Sequence, residues 1–131
     1  MIYMYVGLGG IAGSLLRYVL SILAIQLWGP EFPVGTLLIN VTGSFLLGWM
    51  SSKYILPKKG HPYLLTALST GVIGSYTTFS TFCLETIKLL KTNHYLIAFL
   101  YITLSLIGGL LFVRLGFGLG ERGTKEARKI S

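Results

Sequence analysis

Apolar residues run through this chain in four long blocks separated by short polar links. The blocks cover residues 2–27, 33–55, 62–90 and 95–118. Each reaches the roughly 20 residues a helix needs to cross the hydrocarbon of a bilayer. The pattern therefore predicts an all-α integral membrane domain of four transmembrane helices. Trp28 to Phe32, Leu56 to His61 and Thr92 to His94 make the links, and Pro62 suits the first turn of the third helix.

The third block departs from a plain lipid-facing span. Residues 71–82 read GVIGSYTTFSTF, with two glycines, five Ser or Thr hydroxyls and Tyr76, inside a stretch without charge from Pro62 to Leu84. Glycine is a poor helix former, and Ser and Thr compete for backbone bonds. Unwound backbone at membrane depth survives only where protein or a wet cavity covers it. The stretch predicts a third helix broken near its middle. The break marks either a functional site or a kink packed against small residues of a neighbour.

Polar residues recur at helical spacing elsewhere. Gly9, Gly13 and Arg17 share one face of the first helix, and small residues four apart allow close helix packing. Arg17 follows sixteen uncharged residues, a depth at which charge is costly unless paired or near the interface, so its expected role is structural. Thr36, Asn40 and Ser44 form a stripe on the second helix. The Asn40 carboxamide needs partners there, either as glue between helices or as part of a polar path. Phe79, Phe82 and Glu85 fall at i, i+3 and i+6 after the predicted break, flanked by Ser80 and Thr81. On the fourth helix Tyr101 and Ser105 lie four apart, in line with Gly109.

Composition sharpens this. The chain is 53% hydrophobic and 11% charged, with a formal net charge of +7. The basic excess fits positive-inside topology and contact with anionic lipid head groups rather than nucleic acid. The first block lacks a basic leader or an obvious cleavage site, so no removed signal peptide is expected. Cys83 is the single cysteine, and no Cys/His cluster suggests a zinc site. Residues 1–120 read as one membrane domain, and 121–131 as a short basic C-terminal tail, expected to be frayed.

Three motifs taken together resemble the Fluc (CrcB) fluoride channels. They are Gly13 with Arg17 and Tyr18, the GTLLINVTGSF run from Gly35 to Phe45, and the Gly71 to Phe82 stretch ending in TTFSTF. The likeness covers essentially the whole chain. Ser75-Tyr76 departs from the glycine and apolar residue often found there, and Gly109 stands where some members carry serine. The resemblance implies an antiparallel, dual-topology dimer in the cell membrane, with two fluoride pores and a structural sodium ion at its centre. It implies that Phe79 and Phe82 line the path, with Asn40, Ser80, Thr81, Thr36, Tyr101 and Ser105 on or beside it as donors. It further implies that backbone carbonyls of Gly74 and Thr77 hold sodium, while Arg17 and Glu85 are structural or vestibule residues.

Two other classes compete. A small multidrug-type proton-coupled exporter also has four helices, but it depends on a carboxylate in the first helix, and no acid here precedes Glu31. A scaffold protein would explain the small-residue faces but not TTFSTF. Charge also bears on orientation. With four spans, and leaving out Arg17 and Arg114 within them, Lys53, Lys58, Lys59, Arg122, Lys125, Arg128 and Lys129 share one side, and Lys88 and Lys91 the other. That bias conflicts with insertion in both directions. Either the tail comes too late in synthesis to count, leaving a homodimer, or the partner is an oppositely oriented relative.

Overall fold

The structure is a computed structural model that describes residues 1–130, with side chains described to Gly123. It is all-helical, with no strand among the described residues. Helix α1 is Ile2–Trp28 and stops at Gly29, whose φ of 77° a side chain would resist. Helix α2 is Val34–Met50, and it continues through a wide π-type turn, Ser51–Ile55. Lys58 and Gly60 then turn the chain with positive φ.

The third span comes in pieces. We designate residues 62–76 as α3, built from Pro62–Thr66, a π-type segment Ala67–Ile73 and a last turn Gly74–Tyr76. Thr77 and Thr78 are extended, and α4, Phe79–Lys91, restarts the helix. The predicted break is therefore present. It explains why, among the described residues, three helices, Ile2–Trp28, Val34–Ile55 and Tyr95–Gly123, are individually long and apolar enough to cross a membrane. Neither α3 nor α4 is long enough to do so by itself. After the corner at Asn93, α5 is Tyr95–Ile130. Its backbone stays helical past Gly120, where fraying was expected, with no proline in that stretch to break it. Lys125, Glu126, Arg128 and Lys129 lie outside the residues whose side chains are described.

Short links make sequential spans antiparallel neighbours. The two main packings are α1 on α3 and α2 on α5. Both depend on glycine. A Cβ at Gly13 would strike the Val72 carbonyl and Ser75 Oγ, and one at Gly116 would strike the Phe45 carbonyl. Without side chains, backbones meet directly, which is how membrane helices gain packing when lipid gives them no hydrophobic drive. The glycine face of α1 is thus a packing face. The inside is small, with Tyr101, Ile39 and Ala98 almost fully covered, whereas Leu8, Leu15, Leu106 and Leu110 face outward. That inversion suits a chain whose solvent is hydrocarbon.

Candidate functional site

The break is held open by one side chain. Asn40 Nδ2 donates to the Thr78 carbonyl at 2.9 Å, and the Thr78 N–H donates to Asn40 Oδ1 at 2.8 Å. In an unbroken helix that N–H would bond the Gly74 carbonyl. Likewise the Thr81 N–H, which would have served Thr77, donates to Thr78 Oγ1 at 3.2 Å as an N-cap bond. Two main-chain carbonyls, of Gly74 and Thr77, thereby lose their helical partners. Thr78 is the hub of this arrangement. Its hydroxyl also donates to Thr81 Oγ1 at 3.0 Å and lies 3.3 Å from Ser80 Oγ. Sequence reasoning assigned Thr78 no role, although a Thr one position before a restarting helix is an N-cap signal.

A groove of about 290 Å³ lies against the break, lined by Asn40, Ser44, Ser69, Gly74, Thr77 and Phe79 among others. Gly74 is open on this side, since the nearest atom to an added Cβ is the Ser69 carbonyl oxygen at 3.8 Å. The Phe79 ring is 76% exposed here.

On the other side of the phenylalanines is a larger cavity of about 640 Å³, under the links that contain Pro30 and His94. Thr36, Thr81, Glu85 and Lys88 line it. Between the two cavities the rings form a chain. Phe79 and Phe82 are 5.7 Å apart between centroids, Phe82 and Tyr101 are 5.2 Å apart, and Phe32 meets Tyr101 edge-on at 5.8 Å. Tyr101 is fully buried, and its hydroxyl donates to Glu85 Oε2 at 2.7 Å. Thr36 Oγ1 donates to Glu85 Oε1 at 2.9 Å. Ser105, one turn along α5, has a buried hydroxyl oxygen with no hydrogen-bond partner.

Phe79, Phe82, Tyr101, Thr36 and Glu85 are joined by ring contacts and hydrogen bonds, and Asn40, Gly74 and Thr77 line the smaller cavity with Phe79. Arg17 lines neither of these two cavities. The departures at Ser75 and Tyr76 also find a use. Ser75 Oγ reaches the Gly10 carbonyl at 2.9 Å, and Tyr76 Oη lies 2.9 Å from Thr42 Oγ1, so both tie the end of α3 to neighbouring helices. The first ties α3 to α1 and the second to α2. Among the described residues no cluster of His, Cys, Asp or Glu has the makings of a metal site, so any cation here must rely on main-chain and hydroxyl oxygens.

A multi-pass helical membrane protein with a clasped break, two cavities and a ring-and-hydroxyl line between them belongs to the transport class. The sequence signature described as CrcB-like protein, Camphor Resistance (CrcB), matches residues 4–117. The chain is a member of the CrcB family. It is 45% identical over 125 residues to "Fluoride-specific ion channel FluC 1" of Bacillus cereus (strain ATCC 10987 / NRS 248), covering 92% of this chain and 88% of that protein. It is 41% identical over 126 residues to "Fluoride-specific ion channel FluC 2" of Geobacillus kaustophilus (strain HTA426), covering 96% and 98%. The protein "Fluoride-specific ion channel FluC" of Hydrogenobaculum sp. (strain Y04AAS1) is 47% identical over 118 residues, covering 90% and 96%. These relatives are named ion channels, not enzymes.

Proposed function

We propose that this protein is a fluoride-selective channel that lets fluoride leave the cell passively along the line from Asn40 and Phe79 to Thr36 and Glu85. The observation that carries the reading is the ring chain Phe79, Phe82 and Tyr101 joining two cavities, with hydroxyls beside it. Fluoride is small and strongly hydrated, so a path must replace its water with donors. Aromatic edges carry positive charge and attract an anion without trapping it as an arginine would. Ser105 keeps a buried, unpartnered hydroxyl, and Thr81 accepts from Thr78, which leaves its own proton for an anion. Ser80 adds a further hydroxyl near the start of α4.

The active form in this proposal is an antiparallel dimer with two pores, formed across the groove where Phe79 and Gly74 are exposed. A structural sodium ion sits at its centre, held by the Gly74 and Thr77 carbonyls of both copies. The fit is chemical. These carbonyls have lost their helical N–H partners to Asn40 and Thr78, and they lie at the negative C-terminal end of α3. Arg17 stays structural, and lipid surrounds the outward-facing leucines.

The test is fluoride release from liposomes containing the pure protein, read with a fluoride electrode. Fluoride should leave while chloride stays. Proton-coupled drug exchange without fluoride release would instead select the multidrug-exporter reading, and neither activity would select the scaffold.

A further inference from the structure

We propose that Glu85 is the resident anion of the path: its carboxylate occupies the two hydroxyls a passing fluoride needs, and the ion enters by displacing it toward Lys88. This rests on the fluoride-channel reading above. Thr36 Oγ1 and Tyr101 Oη each donate to one Glu85 oxygen, at 2.9 and 2.7 Å. A hydroxyl has one proton to donate. Both protons are therefore spent, and neither residue can hold fluoride while Glu85 stays in place.

The same geometry says when Glu85 leaves. Tyr101 is 0% exposed, and a buried donor without an acceptor is costly. The carboxylate gives up its place as another acceptor arrives. Fluoride is a compact, strong acceptor and restores the bond, whereas chloride is larger and weaker and restores less of it. The exchange thus favours the smaller halide.

The displaced carboxylate has somewhere to go. Lys88 lies one helical turn beyond Glu85 on α4 and carries the opposite charge. Both side chains line the cavity of about 640 Å³, so the swing is into open space rather than into packing. Glu31 and His94 also line this cavity. Thr36, Glu85 and Tyr101 come from α2, α4 and α5, so moving one side chain opens the triad without moving a helix.

The test measures fluoride efflux from liposomes against internal fluoride concentration for wild type, Glu85→Gln, Lys88→Gln and the double variant. Glu85→Gln keeps the shape but removes the competing charge, so half-saturation should fall about five-fold, the size of an ordinary coupling between contacting residues. Lys88→Gln removes the resting partner and should raise half-saturation by a similar factor. That rise should vanish in the Glu85→Gln background. Persistence of the Lys88 effect there, or loss of flux at unchanged half-saturation in Glu85→Gln, would make the triad a structural tie and overturn the proposal. Should Glu85→Gln fail to fold, Lys88→Gln alone decides, and an unchanged half-saturation rejects it. A wild-type protein that conducts no fluoride is a different failure, because it removes the channel reading itself.

Discussion

Replacing Asn40 by alanine tests how the break is kept open. The substitution removes a bond of 2.9 Å to the Thr78 carbonyl and one of 2.8 Å from the Thr78 N–H. Thr78 is buried, at 7% exposure, so water does not replace them. An unsatisfied buried polar group costs about 1–3 kcal/mol. Partial re-pairing inside membranes brings single bonds down to about 0.6 kcal/mol on average. For two groups these figures bracket a loss of about 1–6 kcal/mol, or roughly 8- to 25,000-fold in the folding equilibrium. The assay is thermal unfolding in detergent, alongside fluoride efflux at a temperature where the variant remains folded. Flux should fall as well, because a freed Thr78 N–H can return to the Gly74 carbonyl and remove a proposed cation ligand. Asn40→Asp tests the effect of charge at the same position. It keeps an acceptor for the N–H but sets a carboxylate against the Thr78 carbonyl oxygen, so stability should fall at least as far, and its negative charge on the anion's approach should lower flux below that of Asn40→Ala when both are compared folded. A wild-type melting temperature for Asn40→Ala would refute the clasp.

Three further predictions follow from the packing and the charges. Phe82→Ile should leave the melting temperature near wild type, since apolar bulk is retained, yet cut fluoride efflux heavily; Phe79→Ile should do the same less severely, and normal flux in both would reduce the rings to packing. Gly13→Val places a Cβ against the Val72 carbonyl and Ser75 Oγ, so α1 should separate from α3 and folded yield should collapse. Gly118→Ala, at a glycine with nothing within 4 Å, is the silent control; equal yields for both would contradict the close packing. Lys59→Cys in a Cys83→Ser background reports orientation in intact cells. Labelling of about half the molecules from outside supports insertion both ways, whereas labelling of almost none points to fixed insertion and an oppositely oriented partner.

Much of this protein is readable from the order of its residues. Four spans, the break in the third and the residues that gather around it all follow from local chemistry. A run of apolar side chains needs lipid, and two glycines among hydroxyls weaken a helix wherever they fall. The starts of the helices at Ile2, Val34, Pro62 and Tyr95 match the blocks within a residue, because charge and proline sit in the links. The end of α5 does not, since polar residues beyond Gly120 still form a good helix. Partnership is a different matter. Thr36 and Tyr101 read as free donors, but the fold gives both of their protons to Glu85. Asn40 reads as a donor on a stripe, but the fold spends it on the backbone of Thr78, 38 positions away. Such pairs depend on the depth and rotation at which helices meet. Glycines at Gly13 and Gly116 set that contact by letting backbones touch, and local composition carries no record of which backbone they touch. The inventory of polar groups is a property of the chain, whereas which of them remain free for an ion is decided only when the helices pack.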